Sequence, residues 1–195
     1  LALVLLCALA VQPASAQYFG QNKVQYETHD WSIIETDNFK VYFHEGERRV
    51  ALDVARMAER AYTRISTILN HEIAEPVPII LSASHAEFQV SNVSQGFVGE
   101  GTGGFTEFLK RRVAMPVTGD YGETEHVLTH ERVHAFQIDL LTHGSRSMGA
   151  GLRWVPPLWV MEGMAEYVST GELDPLTEMW LRDGALEGYL LPVTY

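Results

Sequence analysis

The residues in this chain best placed to do chemistry lie in the segment His130-Glu131-Arg132-Val133-His134. Side chains four residues apart share one face of an α-helix, so His130 and His134 can bind a single zinc ion. Zinc lowers the pKa of its bound water to about 7, and a neighbouring carboxylate such as Glu131 can take the proton. The pattern predicts a metal-dependent hydrolase with Glu131 as general base. The alternative is an amphipathic helix whose histidines lie at the surface or are hydrogen-bonded in the core.

The segment around this motif is predicted to be helical from Glu123 to His143, because it contains apolar residues throughout and neither glycine nor proline. Gly119, Asp120 and Gly122 before it, and Gly144 after it, are typical of helix ends. His126 lies one turn before the motif on the same face. Three histidines over two turns span about 12 Å, too far for one tetrahedral ion, so His126 is predicted to flank the site.

A catalytic zinc needs a third protein ligand, and Glu162 is the candidate. It follows Pro156-Pro157, a pair that favours a helix start, and the apolar residues beyond have helical spacing. The small residues Gly163 and Ala165 predict a close approach to the first helix. Glu166, one turn after Glu162, is predicted to accept the free ring N–H of a ligating histidine. The alternative places both glutamates on a solvated face.

The elements expected to position these residues are a strand over 39–43, a helix over 47–70, a strand over 77–81 and an extended run over 107–117. Their order predicts an α+β fold. Glycines at 99–104 match the spacing of a dinucleotide-binding loop, but an extended segment follows where that loop requires a helix. We expect a turn before a sheet edge there, or a simple hairpin loop. Lys110-Arg111-Arg112 is expected to be a solvated patch, with a substrate-facing charge as the alternative.

Composition limits the classes of protein that fit. The formal net charge of −11 over 195 residues argues against nucleic acid as a partner. Residues 1–16 have the outline of a secretory leader truncated at its start, with an apolar run and Ala14-Ser15-Ala16 before the expected cleavage point. The run is too short for a stable membrane span. Residues 17–195 are predicted to form one domain, secreted or periplasmic. The sole cysteine, Cys7, lies in the leader, so a cysteine zinc site is not expected.

The chain resembles the gluzincin-type zinc metallopeptidases, and more narrowly the peptidase-MA-like domains of secreted bacterial proteins. The resemblance is carried by residues 130–137 and 157–167, and extends from 18–23 through 100–104. It implies a zincin-like (thermolysin-like) lobe with a mixed sheet, zinc ligands His130, His134 and Glu162, general base Glu131, and Glu166 behind the ligands. The implied substrate is a peptide or protein.

Two features of the resemblance shape the expectations. A β-propeller region often follows such domains, so this chain is expected to be a fragment of a longer one. Arg132 stands where the family usually has an apolar or small residue, and it places a charge off the ligand face where packing is more common. The rival hypothesis is a catalytically inactive binding or assembly module that keeps this fold.

Overall fold

The computed structural model describes residues 28–93, 97–108, 110–142, 155–171 and 174–190. The predicted leader and His143 lie outside these residues. The described strands are β1 (Trp31–Glu35), β2 (Phe39–His44), β3 (Val77–Ser82), β4 (Phe105–Glu107) and β5 (Arg112–Pro116). The described α-helices are α1 (Arg48–Leu69), α2 (His85–Val90), α3 (Tyr121–Thr142), α4 (Leu158–Thr170) and α5 (Pro175–Leu186). The α+β prediction is therefore confirmed.

The five strands form one mixed sheet in the order β1-β2-β3-β5-β4. The inner pairs β2–β3 and β3–β5 are parallel, while the edge strands β1 and β4 run antiparallel to their neighbours. The predicted strands over 39–43 and 77–81 are both present. The extended run over 107–117 is divided, since its first residue ends β4 and a turn precedes β5.

The main core lies on one face of the sheet. Phe39, Val41 and Phe43 alternate along β2 and are fully buried. They join residues of α1, α3 and α4 in a single apolar cluster. On the opposite face, α2 places Phe88 against Ala114 of β5 in a second, smaller cluster. Helix α3 is thus fixed between the sheet and two other helices.

Helix α3 begins at Tyr121, close to the predicted start. The Asp120 carboxylate accepts hydrogen bonds from the backbone N–H of Gly122 at 2.7 Å and of Glu123 at 3.1 Å. It therefore satisfies two of the N–H groups that a helix start leaves without intrahelical partners. Gly122, predicted to precede the helix, lies inside its first turn.

No helix among the described residues combines the length and apolar character needed to cross a membrane.

The glycine loop owes its composition to close packing. A Cβ on Gly104 would lie 3.1 Å from Cγ1 of Val127, 3.2 Å from Cγ of Glu131 and 3.3 Å from the carbonyl oxygen of Ala114. A Cβ on Gly103 would come within 2.9 Å of Val127. The loop leads into edge strand β4, as predicted, and no helix follows that could bind a pyrophosphate. Glycine is needed here because the chain passes directly over α3.

Two predictions about local packing are correct only in part. Gly163 is exposed, and a Cβ there would meet no atom within 4 Å, so it does not set the distance between α3 and α4; the buried Ala165 joins the apolar cluster that contains residues of α3. Lys110 is exposed, as expected of a solvated patch, but Arg111 and Arg112 are half-buried and paired with acids. Arg111 pairs with the buried Asp139 of α3 at 2.7 Å, and Arg112 pairs with Glu107 across β4 and β5.

Candidate metal centre

Helices α3 and α4 bring three potential ligand atoms together. Nε2 of His130 lies 3.2 Å from Nε2 of His134 and 3.2 Å from Oε2 of Glu162. Nε2 of His134 lies 3.3 Å from the same carboxylate oxygen, which closes a triangle. The two rings are steeply inclined, at 78°, so their nitrogens converge. These three residues form a group that could hold a metal ion.

The far side of each imidazole faces a side-chain acceptor. Nδ1 of His130 lies 3.2 Å from Oε2 of Glu166, the residue predicted for this role. Nδ1 of His134 lies 2.8 Å from Oε1 of Gln137, which the sequence analysis did not assign to the site. A carboxylate can only accept, and the Gln137 amide presents its oxygen. Each of these acceptors favours a proton on the Nδ1 atom that it faces, and that tautomer turns the Nε2 lone pair towards the triangle.

The triangle fits a zinc ion in both size and chemistry. Two nitrogen or oxygen ligands on a tetrahedral zinc at about 2.0–2.1 Å stand roughly 3.3–3.4 Å apart, close to the three distances seen here. Two bare imidazole nitrogens and a carboxylate oxygen are all electron-rich. Held this close, they need a cation or a shared proton between them. Two imidazoles and one carboxylate are also a common donor set for catalytic zinc.

Glu131 lies behind the triangle, buried between α3 and β4. Its carboxylate accepts a hydrogen bond from the Thr106 hydroxyl at 2.8 Å, and that hydroxyl also lies 2.7 Å from the Glu131 carbonyl oxygen. Burial raises the pKa of Glu131, while the Thr106 hydrogen bond and the neighbouring His134 and His130 oppose the increase. A carboxyl with a raised pKa is a stronger base once it is ionised, which suits a group that must take a proton.

Arg132 points away from the ligands into the core. Its side chain is 1% exposed, with the guanidinium carbon 3.6 Å above the centre of the Phe39 ring. Burial lowers the pKa of Arg132 to about 9, against the opposing charge of Glu59. The charge of Arg132 therefore lies on the opposite side of α3 from the candidate metal centre.

An open cleft of about 610 Å³ borders the triangle. His130, His134 and Glu131 form part of its wall, and β4 forms another part. Most of the remaining lining is apolar, from Phe105, Phe108, Ile138, Leu141, Val155, Leu158 and Met161. The half-exposed Glu162 also faces the cleft, so the triangle is accessible from solvent.

A second group, which sequence reasoning missed, contains His29, His44 and Glu87. Nε2 of His44 lies 3.3 Å from Oε1 of Glu87, and Nε2 of His29 lies 3.9 Å from the same atom. The two rings are stacked at 4.0 Å and are nearly parallel, at 10°. Each nitrogen lone pair lies in the plane of its own ring, and because the two planes are nearly parallel, an ion in the plane of one ring lies out of the plane of the other. This pair is therefore less well arranged to share one ion than His130 and His134. The group spans the chain before β1, the end of β2 and α2, and no local spacing could have predicted it.

Three further histidines have identified partners. His126, predicted to flank the site, lies 3.8 Å from the Glu166 carboxylate. His71 pairs with Asp139 at 2.8 Å, and His85 contacts the backbone carbonyl of Gly99 at 3.1 Å.

Comparisons with protein-family models, with curated proteins and with solved structures find no match to this chain. The candidate centre therefore has to be interpreted from its own geometry.

Proposed function

We propose that this chain is a zinc-dependent metallopeptidase of the gluzincin type, with a zincin-like fold. The observation that carries the proposal is the triangle of Nε2 of His130, Nε2 of His134 and Oε2 of Glu162, with sides of 3.2, 3.2 and 3.3 Å. In this proposal these residues bind zinc, Glu131 is the general base, and Glu166 orients His130. The leader, a location outside the cytoplasm and a following β-propeller belong to the same proposal.

A zinc ion held there would polarise a scissile carbonyl and lower the pKa of a bound water to about 7. Glu131 takes the proton released during attack and delivers it to the departing amine nitrogen. The Thr106 hydroxyl, 2.8 Å from the Glu131 carboxylate, holds that carboxylate in one orientation. Glu166 holds the His130 ring by its Nδ1–H.

The cleft supports a peptide as substrate. Strand β4 forms one edge of the sheet and lines the cleft beside Glu131. An extended peptide can pair with the backbone of such an edge, which would lay its amide bonds across the triangle. The apolar part of the cleft, around Ile138 and Leu141, suits a large apolar side chain next to the scissile bond.

The test is the Glu131→Gln variant. It keeps the shape of the side chain and the contact with Thr106 but removes the base. We expect the variant to bind one zinc per chain, as the wild type does, while hydrolysis of an unfolded protein substrate falls by about 100-fold or more.

The paired assay also separates the proposal from its rival. Zinc binding by the wild type without any hydrolysis would favour a catalytically inactive binding or assembly module. Hydrolysis at the wild-type rate by a zinc-loaded Glu131→Gln protein would show that Glu131 is not the base.

A further inference from the structure

Gln137 links the two helices that carry the candidate ligands. Its side chain is buried, one turn after His134 on α3. Oε1 lies 2.8 Å from Nδ1 of His134, and Nε2 donates to the backbone carbonyl of Met161 at 3.0 Å. Met161 directly precedes Glu162 on α4. One amide therefore contacts both a candidate ligand and the backbone next to another.

The Met161 carbonyl determines which way the amide faces. A carbonyl oxygen can only accept, so the NH2 group of Gln137 must point towards α4 and its oxygen towards His134. That oxygen in turn can only accept, so His134 must carry its proton on Nδ1. An unconstrained neutral histidine prefers the proton on Nε2, which is the atom that faces the triangle.

We infer that Gln137 is a positioning residue that selects the metal-binding tautomer of His134 and ties that choice to the placement of the α4 helix bearing Glu162. The inference rests on the metal site of the proposed function. It adds a role that Glu166 does not share. Glu166 holds His130 from α4 directly, whereas Gln137 holds His134 from within α3 and reaches α4 through the backbone.

Two substitutions of Gln137 test its contacts with His134 and with the Met161 carbonyl, and a third substitution elsewhere is the control. Gln137→Met keeps the length of the side chain and removes both hydrogen bonds. Gln137→Glu keeps an acceptor for His134 but sets a carboxylate oxygen against the Met161 carbonyl. Thr124→Val is the matched control, because it removes another buried hydrogen bond of α3, from the Thr124 hydroxyl to the Asp120 carbonyl at 2.6 Å, far from the triangle.

The first readout is the tautomer itself, measured by ¹⁵N NMR of the histidine rings in zinc-free protein at about pH 8, above the ordinary histidine pKa of about 6.5. We expect His134 to carry its proton on Nδ1 in the wild type, in Gln137→Glu and in Thr124→Val, and to shift towards the Nε2 form in Gln137→Met. A wild-type His134 protonated on Nε2 would overturn the inference.

The second readout is zinc affinity, measured by competition with a chelator. We expect Gln137→Met to lose about 10–100-fold, the usual effect of removing a residue that orients a ligand. We expect Gln137→Glu to recover part of the loss and Thr124→Val to match the wild type. Equal affinity in Gln137→Met and wild type would contradict the role. If the wild type binds no zinc, the proposed function fails, and the tautomer still decides the assignment of Gln137.

Discussion

Arg132, the buried arginine between the two candidate histidine ligands, has a different role from its neighbours in the sequence. None of the three guanidinium nitrogens of Arg132 has a hydrogen-bond partner among the described residues. Its compensation comes from the Phe39 ring and the charge of Glu59. Burial would raise the pKa of Glu59, but hydrogen bonds from Thr36 and Asn38 and the charge of Arg132 outweigh it and lower that pKa. Arg132 of α3 and Glu59 of α1 are therefore oppositely charged neighbours, and the Arg132 guanidinium lies over Phe39 of β2.

We predict that Arg132→Met stabilises the protein by about 1 kcal/mol. Removing the buried charge relieves a penalty of several kcal/mol, from which the lost attraction to Glu59 and the loss of the contact with Phe39, about 0.5–2 kcal/mol, must be subtracted. Urea unfolding of zinc-free protein measures the change. Arg132→Lys is the control, since it keeps the charge without the flat stacking surface and should not be stabilised. A loss of stability in Arg132→Met would mean that the guanidinium has a partner worth more than its burial costs.

Individual site residues could be predicted where helix periodicity alone brings them together. His130, Glu131 and His134 share one helix, and Glu162 and Glu166 share another, so spacing was sufficient to group each set. Thr106 and Gln137 could not be found in this way. The contact of Thr106 with Glu131 depends on how β4 crosses α3, and the contact of Gln137 with α4 depends on how two helices pack.

At the scale of elements, the approach of the glycine loop to α3 determines where β4 lies. The hydroxyl of Thr106 reaches Glu131 because the chain at Gly103 and Gly104 passes close to Val127. Strand β4 is short and forms the sheet edge, where its pairing with β5 and the Arg112–Glu107 pair also hold it. A change in the loop should still shift the start of the edge strand relative to α3.

We predict that Gly104→Ala reduces hydrolysis more than it reduces zinc affinity. The added Cβ would lie 3.1–3.3 Å from Val127, Glu131 and the Ala114 carbonyl, so the loop and its neighbours must shift by a few tenths of an ångström. That shift is expected to displace β4 and the Glu131 side chain, whereas the triangle on α3 and α4 has no contact with the added atom. Steady-state kinetics and chelator competition measure the two effects. Gly101→Ala is the control, because its Cβ would meet no atom within 4 Å. Similar kinetics for the two variants would show that the close approach does not matter for activity.

The elements that were predicted and those that were missed differ in how strongly they are patterned. Helices α1 and α3 are 22 residues each, long enough for apolar spacing to define them. Helix α2 has 6 residues, fewer than two turns, and shows no period. Strand β1 lies at the other edge of the sheet with an alternation of exposed and half-buried residues, which gives little contrast. Asp174 caps the start of helix α5 and is followed by Pro175. An aspartate followed by proline is typical of a helix start, so the sequence could have predicted this helix.

At the scale of the whole molecule, the fold brings together side chains that lie far apart in the sequence. Arg111, Asp139 and His71 meet from the turn before β5, the end of α3 and the end of α1. His29, His44 and Glu87 meet on another part of the fold. The chain therefore offers two His/His/Glu groups among its described residues. Ring geometry distinguishes them, since the rings are inclined at 78° in the first and stacked at 10° in the second.

The central claim is that His130, His134 and Glu162 bind a zinc ion. The most direct test is the zinc affinity of variants that each lack one candidate ligand. Chelator competition on wild type, His134→Ala, Glu162→Ala and His44→Ala gives the affinity and the number of zinc ions bound per chain. We predict one tight site, weakened by at least about 100-fold in His134→Ala and Glu162→Ala because an open three-ligand site loses one of its ligands, and unchanged in His44→Ala. Full affinity in His134→Ala, with loss in His44→Ala, would contradict the account.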